Sequence, residues 1–143
     1  MTKINILVLC VGNSCRSQMA QGYLQHFGGD RVDVLSAGSE KHGLNQNAVL
    51  VMQEDGIDIS HHTSNLVSEY ADRTFDYVLT VCEDADTACP YFPARLKNIH
   101  RGFPDPAKAT GNHKTILVEF RKVRNDIKEY CQSLLSELKI LNE

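Results

Sequence analysis

The chain has 143 residues, 42% hydrophobic and 23% charged, enough to bury one core at the usual ~150 residues per domain, so residues 1–143 are expected to form a single domain. With 15 Lys and Arg against 18 Asp and Glu the formal charge is -3. That balance argues against a nucleic-acid surface and makes any anion site a local one.

The apolar run Ile4 to Val11 is far shorter than the ~20 residues of a membrane span and lacks the layout of a signal peptide, so a cytoplasmic protein with no membrane association is expected. It ends in Cys10-Val11-Gly12-Asn13, the pattern of a central parallel strand buried on both faces and feeding a tight turn. A helix over Ser14 to His26 follows from Met19, Ala20, Tyr23, Leu24 and Phe27 at steps of three and four, stopped by Gly28-Gly29. Val32 to Ser36 reads as a second strand, Asn45 to Asp55 as a helix closed by Gly56, Asp76 to Val81 as a third strand and Leu96 to His100 as a short fourth. From Ile116, the residues Leu117, Phe120, Val123, Ile127, Cys131, Leu134, Leu138 and Leu141 share one face of a long terminal helix. Strands alternating with helices give a doubly wound α/β sheet, whose ligands bind beyond the carboxyl ends of the strands.

The loop Cys10-Val11-Gly12-Asn13-Ser14-Cys15-Arg16-Ser17 lies at that edge. Curled around a tetrahedral oxyanion, it would point successive backbone N–H groups and a helix N-terminus inward, with Arg16 adding a planar two-pronged grip. Such surroundings stabilise a thiolate, so Cys10 is expected to be a nucleophile at neutral pH. Ser17 can donate to its sulfur, and Asn13, tolerant of left-handed backbone angles, can pin the loop. The bland alternative is a buried filler cysteine before an ordinary turn. Neither a nucleotide P-loop nor a Gly-x-Gly-x-x-Gly run is present.

Two prolines hold one carboxylate in Phe103-Pro104-Asp105-Pro106-Ala107 and restrict Pro104 and Asp105 to extended backbone. A stiffly held, partly desolvated Asp105 suits proton donation to an oxygen leaving group; a surface turn is the alternative. Cys82 follows the third strand and should emerge on the edge of Cys10. A helix over Glu83 to Ala88 would hold Cys82 and Cys89 about 10.5 Å apart, beyond the ~7 Å Cα limit for a disulfide. This short acidic segment has little apolar surface, so unwinding it to bond the pair should cost little. Two unrelated thiols or a zinc site remain as alternatives, though the spacing is not Cys-x-x-Cys.

Together these residues resemble a known family, the low-molecular-weight tyrosine phosphatase fold and, within it, the thioredoxin-coupled arsenate reductases. The likeness is most specific in Val11 to Ala20 after Cys10, Ser36-Ala37-Gly38, Asp58-Ile59-Ser60, Val81-Cys82 with Cys89-Pro90, and Gly102-Phe103 with Asp105-Pro106-Ala107. It implies a four-stranded parallel sheet flanked by helices, with Cys10 as nucleophile, Arg16 as oxyanion arginine, Ser17 as thiolate support and Asp105 as general acid. By the same likeness Cys82 attacks the arsenylated sulfur, and Cys89 takes over the disulfide and presents it to thioredoxin. Some reductases of the family hold potassium with acidic residues at two positions that are Gln21 and Asn65 here. Pro104 stands where an acidic residue is common, and the tryptophan usual before Gly102 is missing.

The expected reaction is reduction of arsenate, with phosphate or sulfate as analogues, by a monomer that needs no bound metal or cofactor because thioredoxin is the external reductant. A tyrosine phosphatase would use the same cradle, but a phosphotyrosine ring needs about 150–250 Å² of packing, and Ala107-Lys108 supply no aromatic wall. An oxyanion-binding or redox-sensing module without turnover would have no use for Asp105. His61-His62 is expected to be a surface pair with its rings turned apart, Cys131 to be core, and Cys15 to be turned inward by the helix start.

Overall fold

A computed structural model describes residues 3–83 and 89–140. Four strands, β1 (Ile4–Cys10), β2 (Val32–Gly38), β3 (Tyr77–Thr80) and β4 (Lys97–His100), form one parallel sheet in the order β2-β1-β3-β4. The helices are α1 (Arg16–Gly28), α2 (Gln46–Glu54) and α3 (His113–Glu137). β1 is central, and its neighbours β2 and β3 come from opposite directions of the winding. The loop leaving β1 therefore opens at the point where strand order reverses, the usual ligand site of such sheets.

β1 is apolar apart from Asn5 because both faces are covered. Ile6 and Val8 point into a core built with Met19, Tyr23 and Leu24 of α1, Val51 and Met52 of α2, and Phe120, Ile127 and Leu134 of α3. Leu7 and Leu9 point the other way, against Phe75 and Val78, where Val67 and Tyr70 of a short 3-10 turn and Phe92 cover them. Among the described residues this second layer is the thinner one. No described helix is long and apolar enough to cross a membrane.

The element boundaries follow side-chain chemistry. α2 is capped by Asn45, whose side chain accepts from the N–H groups of Asn47 and Ala48, and α3 begins before Ile116 because Asn112 caps it through Thr115 N at 2.8 Å. α1 starts two residues later than its periodicity suggests, since Ser14 and Cys15 belong to the loop. α3 stops at Glu137; Leu138 caps it, Lys139 takes a positive φ of 60°, and the chain turns back so that Ile140 N donates to Leu135 O. Leu141, expected on the helix face, lies outside the described residues. β3 is shorter than expected, although Asp76 just before it still bonds through its backbone to Asn5 O and Leu96 N, while its carboxylate accepts Asn5 N at 2.9 Å and Arg95 Nε at 2.8 Å.

Candidate active site

The loop from Cys10 to Arg16 is tied down from outside. Carbonyls of Val11, Gly12 and Ser14 accept the N–H groups of Glu40, His42 and Asn45 at 2.9–3.0 Å, and Asn13 O accepts Gln18 Nε2 at 3.0 Å. Because C=O and N–H oppose one another across a trans peptide, the following N–H groups turn toward the other side. There a cavity of about 290 Å³ is lined by Cys10, Gly12, Ser14, Cys15 and Arg16 of the loop together with Asp105. α1 has no side-chain cap at its start, and that end of the helix, at Cys15 and Arg16, borders the cavity. Gly38 lets β2 approach: a Cβ there would collide with Val11 O and Asn13 N. At Gly12 a Cβ would run into the His42 ring.

Asn13 is the post around which the loop is wound. It is fully buried and sits at φ 48°, in the left-handed region that asparagine tolerates. Its Oδ1 accepts Asn65 N at 2.8 Å. Its Nδ2 donates to Ser17 Oγ at 2.8 Å and to Ser36 Oγ at 2.9 Å. Both hydroxyls keep their own proton for another partner. Ser36 gives its proton to Gln21 Oε1 at 2.6 Å, and Ser17 Oγ lies 2.9 Å from Cys10 Sγ, a contact in which either atom can donate. Toward a deprotonated sulfur the Ser17 hydroxyl can only donate.

Arg16 is buried, with Nη1 donating to Phe103 O at 3.1 Å and Nη2 3.7 Å from Asp105 Oδ2. Asp105 is extended, as its flanking prolines dictate, and its Oδ1 caps the 3-10 turn Pro106–Lys108 through Ala107 N at 3.0 Å. Cys15 is turned inward, as expected, and belongs to the buried cluster. Its sulfur faces Asp105 Oδ1 at 3.6 Å and lines the same cavity as Cys10. Burial first, and then the Asp105 carboxylate, push its thiol up to about 12.

Cys82 lies one residue beyond Val81, whose N–H reaches Leu9 O at 2.9 Å, so it stands at the same sheet edge as Cys10 and shares its apolar cluster. Cys82 and Cys89 are joined in a disulfide with Cα atoms 5.9 Å apart, against the roughly 10.5 Å of a helical spacing. Cys82 is fully buried, whereas Cys89 is half-buried at the margin of the cluster. Residues 84–88 of the acidic segment lie outside the described residues. Cys131 is core, as expected, and burial raises its thiol.

The histidine pair departs from expectation. His61 is exposed, but His62 is half-buried, the two rings meet edge to face at 4.9 Å, and His62 Nδ1 lies 3.0 Å from Gln18 Oε1. Gln18 Nε2 donates to Asn13 O and to Thr63 O, both at 3.0 Å, so its Oε1 is left to accept a proton from His62. Burial, with a smaller contribution from His61, holds His62 down at about 4. No spacing in the sequence marks this contact across 44 positions. His42 at the cavity rim, paired with Glu40 at 2.8 Å, was likewise not singled out.

The two positions associated with potassium carry amides engaged with neighbouring groups. Gln21 accepts from Ser36 and donates to Val34 O at 3.2 Å. Asn65 accepts from Thr63 Oγ1 and donates to Glu69. Both amides are neutral and are partnered by their neighbours.

These features define a parallel α/β protein with a thiol at the end of its central strand, facing a buried arginine and a carboxylate. A family model described as low molecular weight phosphotyrosine protein phosphatase matches residues 5–142, and the chain belongs to that family. It is 50% identical over 127 residues to an arsenate reductase of Shouchella clausii, covering 89% of this chain and 91% of the relative. To an arsenate reductase of Bacillus subtilis it is 46% identical over 132 residues, covering 90% and 95%. A solved structure described as an arsenate reductase in the phosphate binding state superposes with a TM-score of 0.78 at 29% identity, covering 94% of this chain and 98% of the other.

Proposed function

We propose that this chain is an arsenate reductase that works through three of its own thiols and is regenerated by thioredoxin. The observation that carries the reading is the disulfide between Cys82 and Cys89 at the sheet edge where Cys10 faces Arg16 and Asp105. A phosphatase of the same fold has no use for a bonded cysteine pair beside its nucleophile.

Arsenate seats in the loop with its charge on the backbone N–H groups and Arg16. The Cys10 thiolate attacks arsenic, and the As–O bond to the departing oxygen breaks as Asp105 supplies the proton that makes it water. The Cys82 sulfur then attacks Cys10 Sγ. The S–As electron pair passes to arsenic, which leaves as arsenite, and a Cys10–Cys82 disulfide records the two electrons given up. Cys89 attacks Cys82, releases the Cys10 thiolate and carries the disulfide to the outer margin. There a thioredoxin dithiol reduces it, which Cys82, fully buried, would not permit directly.

The cavity rim is formed by His42, Ala107 and Lys108. Lys108 offers positive charge there, and no Phe, Tyr or Trp is among the described lining residues, which suits a small inorganic dianion better than an aryl phosphate. Arsenate-dependent NADPH oxidation with thioredoxin and its reductase tests the reading. One equivalent of arsenate should consume two thiols of the reduced chain; unchanged thiol content would exclude the relay.

A further inference from the structure

We infer that Cys15 is a positioning residue for Asp105: its S–H, together with Ala107 N–H, occupies Oδ1 and so assigns the transferable proton to Oδ2, the oxygen that faces Arg16 and the oxyanion. The inference rests on the reading of Asp105 as the acid that releases water from arsenate.

A carboxylic acid presents one carbonyl oxygen and one hydroxyl, and the hydroxyl settles on the oxygen not already receiving donors. Oδ1 receives Ala107 N at 3.0 Å and Cys15 Sγ at 3.6 Å. Oδ2 is 3.7 Å from Arg16 Nη2. A protonated Oδ1 would set its hydrogen against two donors, whereas a protonated Oδ2 places its hydrogen in the cavity that Cys10 and Arg16 line. The thiol suits the task because its burial keeps it protonated throughout the working range of an arsenate reaction. Among the described residues the charged and titratable groups that share the cavity of Asp105 are Cys10, Arg16, Cys15 and, at the rim, Lys108 and His42. Arg16 has a second role here. With the loop free of anion it pairs with Asp105, and a tetrahedral dianion that takes the guanidinium leaves Oδ2 facing the departing oxygen.

The proton balance is simple. The O–H bond of Asp105 Oδ2 breaks, a new O–H bond forms on the oxygen leaving arsenic, and Asp105 returns to the carboxylate held by Ala107, Cys15 and Arg16. Cys15 itself is neither oxidised nor deprotonated.

The test uses the reduced full-length chain and variants Cys15→Ala, Cys15→Ser and Asp105→Asn, with single-turnover thiol loss followed against arsenate concentration. Cys15→Ala should lower the limiting rate about three- to tenfold, the size expected for one lost donor, without changing half-saturation by arsenate. Cys15→Ser, which keeps a donor, should restore the rate. In an Asp105→Asn background, Cys15→Ala should cost nothing further. A limiting rate unchanged in Cys15→Ala, equal losses in Ala and Ser, or full additivity with Asp105→Asn would overturn the inference.

A readout independent of turnover separates this from failure of the reductase reading. With inorganic phosphate bound, the S–H stretch that disappears in Cys15→Ser should move when Asp105 is replaced by Asn. An S–H band indifferent to that replacement defeats the inference, whether or not the chain reduces arsenate.

Discussion

Replacing Ser17 by Ala tests the direction of the hydrogen-bond chain behind Cys10. The change deletes the hydroxyl that lies 2.9 Å from Cys10 Sγ and strands one hydrogen of the Asn13 amide, a side chain with no exposure. A hydrogen bond to a charged partner contributes about 1.5–3 kcal/mol, so thiolate attack should slow by roughly 10- to 150-fold. The stranded amide costs about 1–3 kcal/mol of stability, on the order of 2–12 °C in Tm for a domain of this size. Ser36→Ala is the control. It strands the other Asn13 hydrogen and also deprives Gln21 Oε1 of its donor, but it does not touch the sulfur. Its stability loss should equal or exceed that of Ser17→Ala while its effect on the sulfur stays within about threefold. Alkylation of Cys10 by iodoacetamide at fixed pH, single-turnover arsenate reaction and thermal unfolding measure the three quantities. Equal slowing in the two variants, or alkylation of Ser17→Ala at the wild-type rate, refutes the reasoning.

Cys89→Ser should complete about one turnover and stop with Cys10 bonded to Cys82, seen as loss of two thiols and a mapped disulfide; sustained thioredoxin-driven turnover would contradict the relay. Asp105→Asn should lower the limiting rate about 10²- to 10⁴-fold while preserving Tm, because asparagine also caps the turn at Pro106. His62 is held neutral in the fold down to about 4, against an unfolded value near 6.5. A histidine with a depressed value takes up its proton in the unfolded chain first, so stability should fall as pH drops from about 6.5 toward 4, by about 1–2 kcal/mol after solvent screening. Denaturant titrations of His62→Gln should show a flatter profile over that window. Replacing sodium by potassium chloride at constant ionic strength should leave turnover unchanged, since Gln21 and Asn65 are engaged by neighbouring groups; a clear activation by potassium would show that these amides yield their partners.

Much of the fold was legible because burial imposes a pattern on the chain. Ile4 to Cys10 has to be apolar on both sides to stand in the middle of a parallel sheet, and the α3 stripe has to recur at helical spacing to cover it. The local chemistry of the site was readable for a similar reason. Cys10, Asn13, Arg16 and Ser17 lie within one short stretch from the end of β1 to the start of α1, so chain connectivity alone keeps them together, and the prolines around Asp105 set its backbone without help from elsewhere.

What tertiary structure decided is which groups meet across long separations. The Asp76 carboxylate holds Asn5 N and Arg95 at the head of β3, a contact invisible to period-two alternation. His62 reaches Gln18 across 44 positions, Asn65 reaches Asn13 across 52, and Cys15 faces Asp105 across 90. Periodicity records which side of an element is buried, not which rotamer a side chain adopts or which neighbour the packing of another segment brings to it. A polar atom taken out of water must find a partner, and only the folded chain determines which one is within reach.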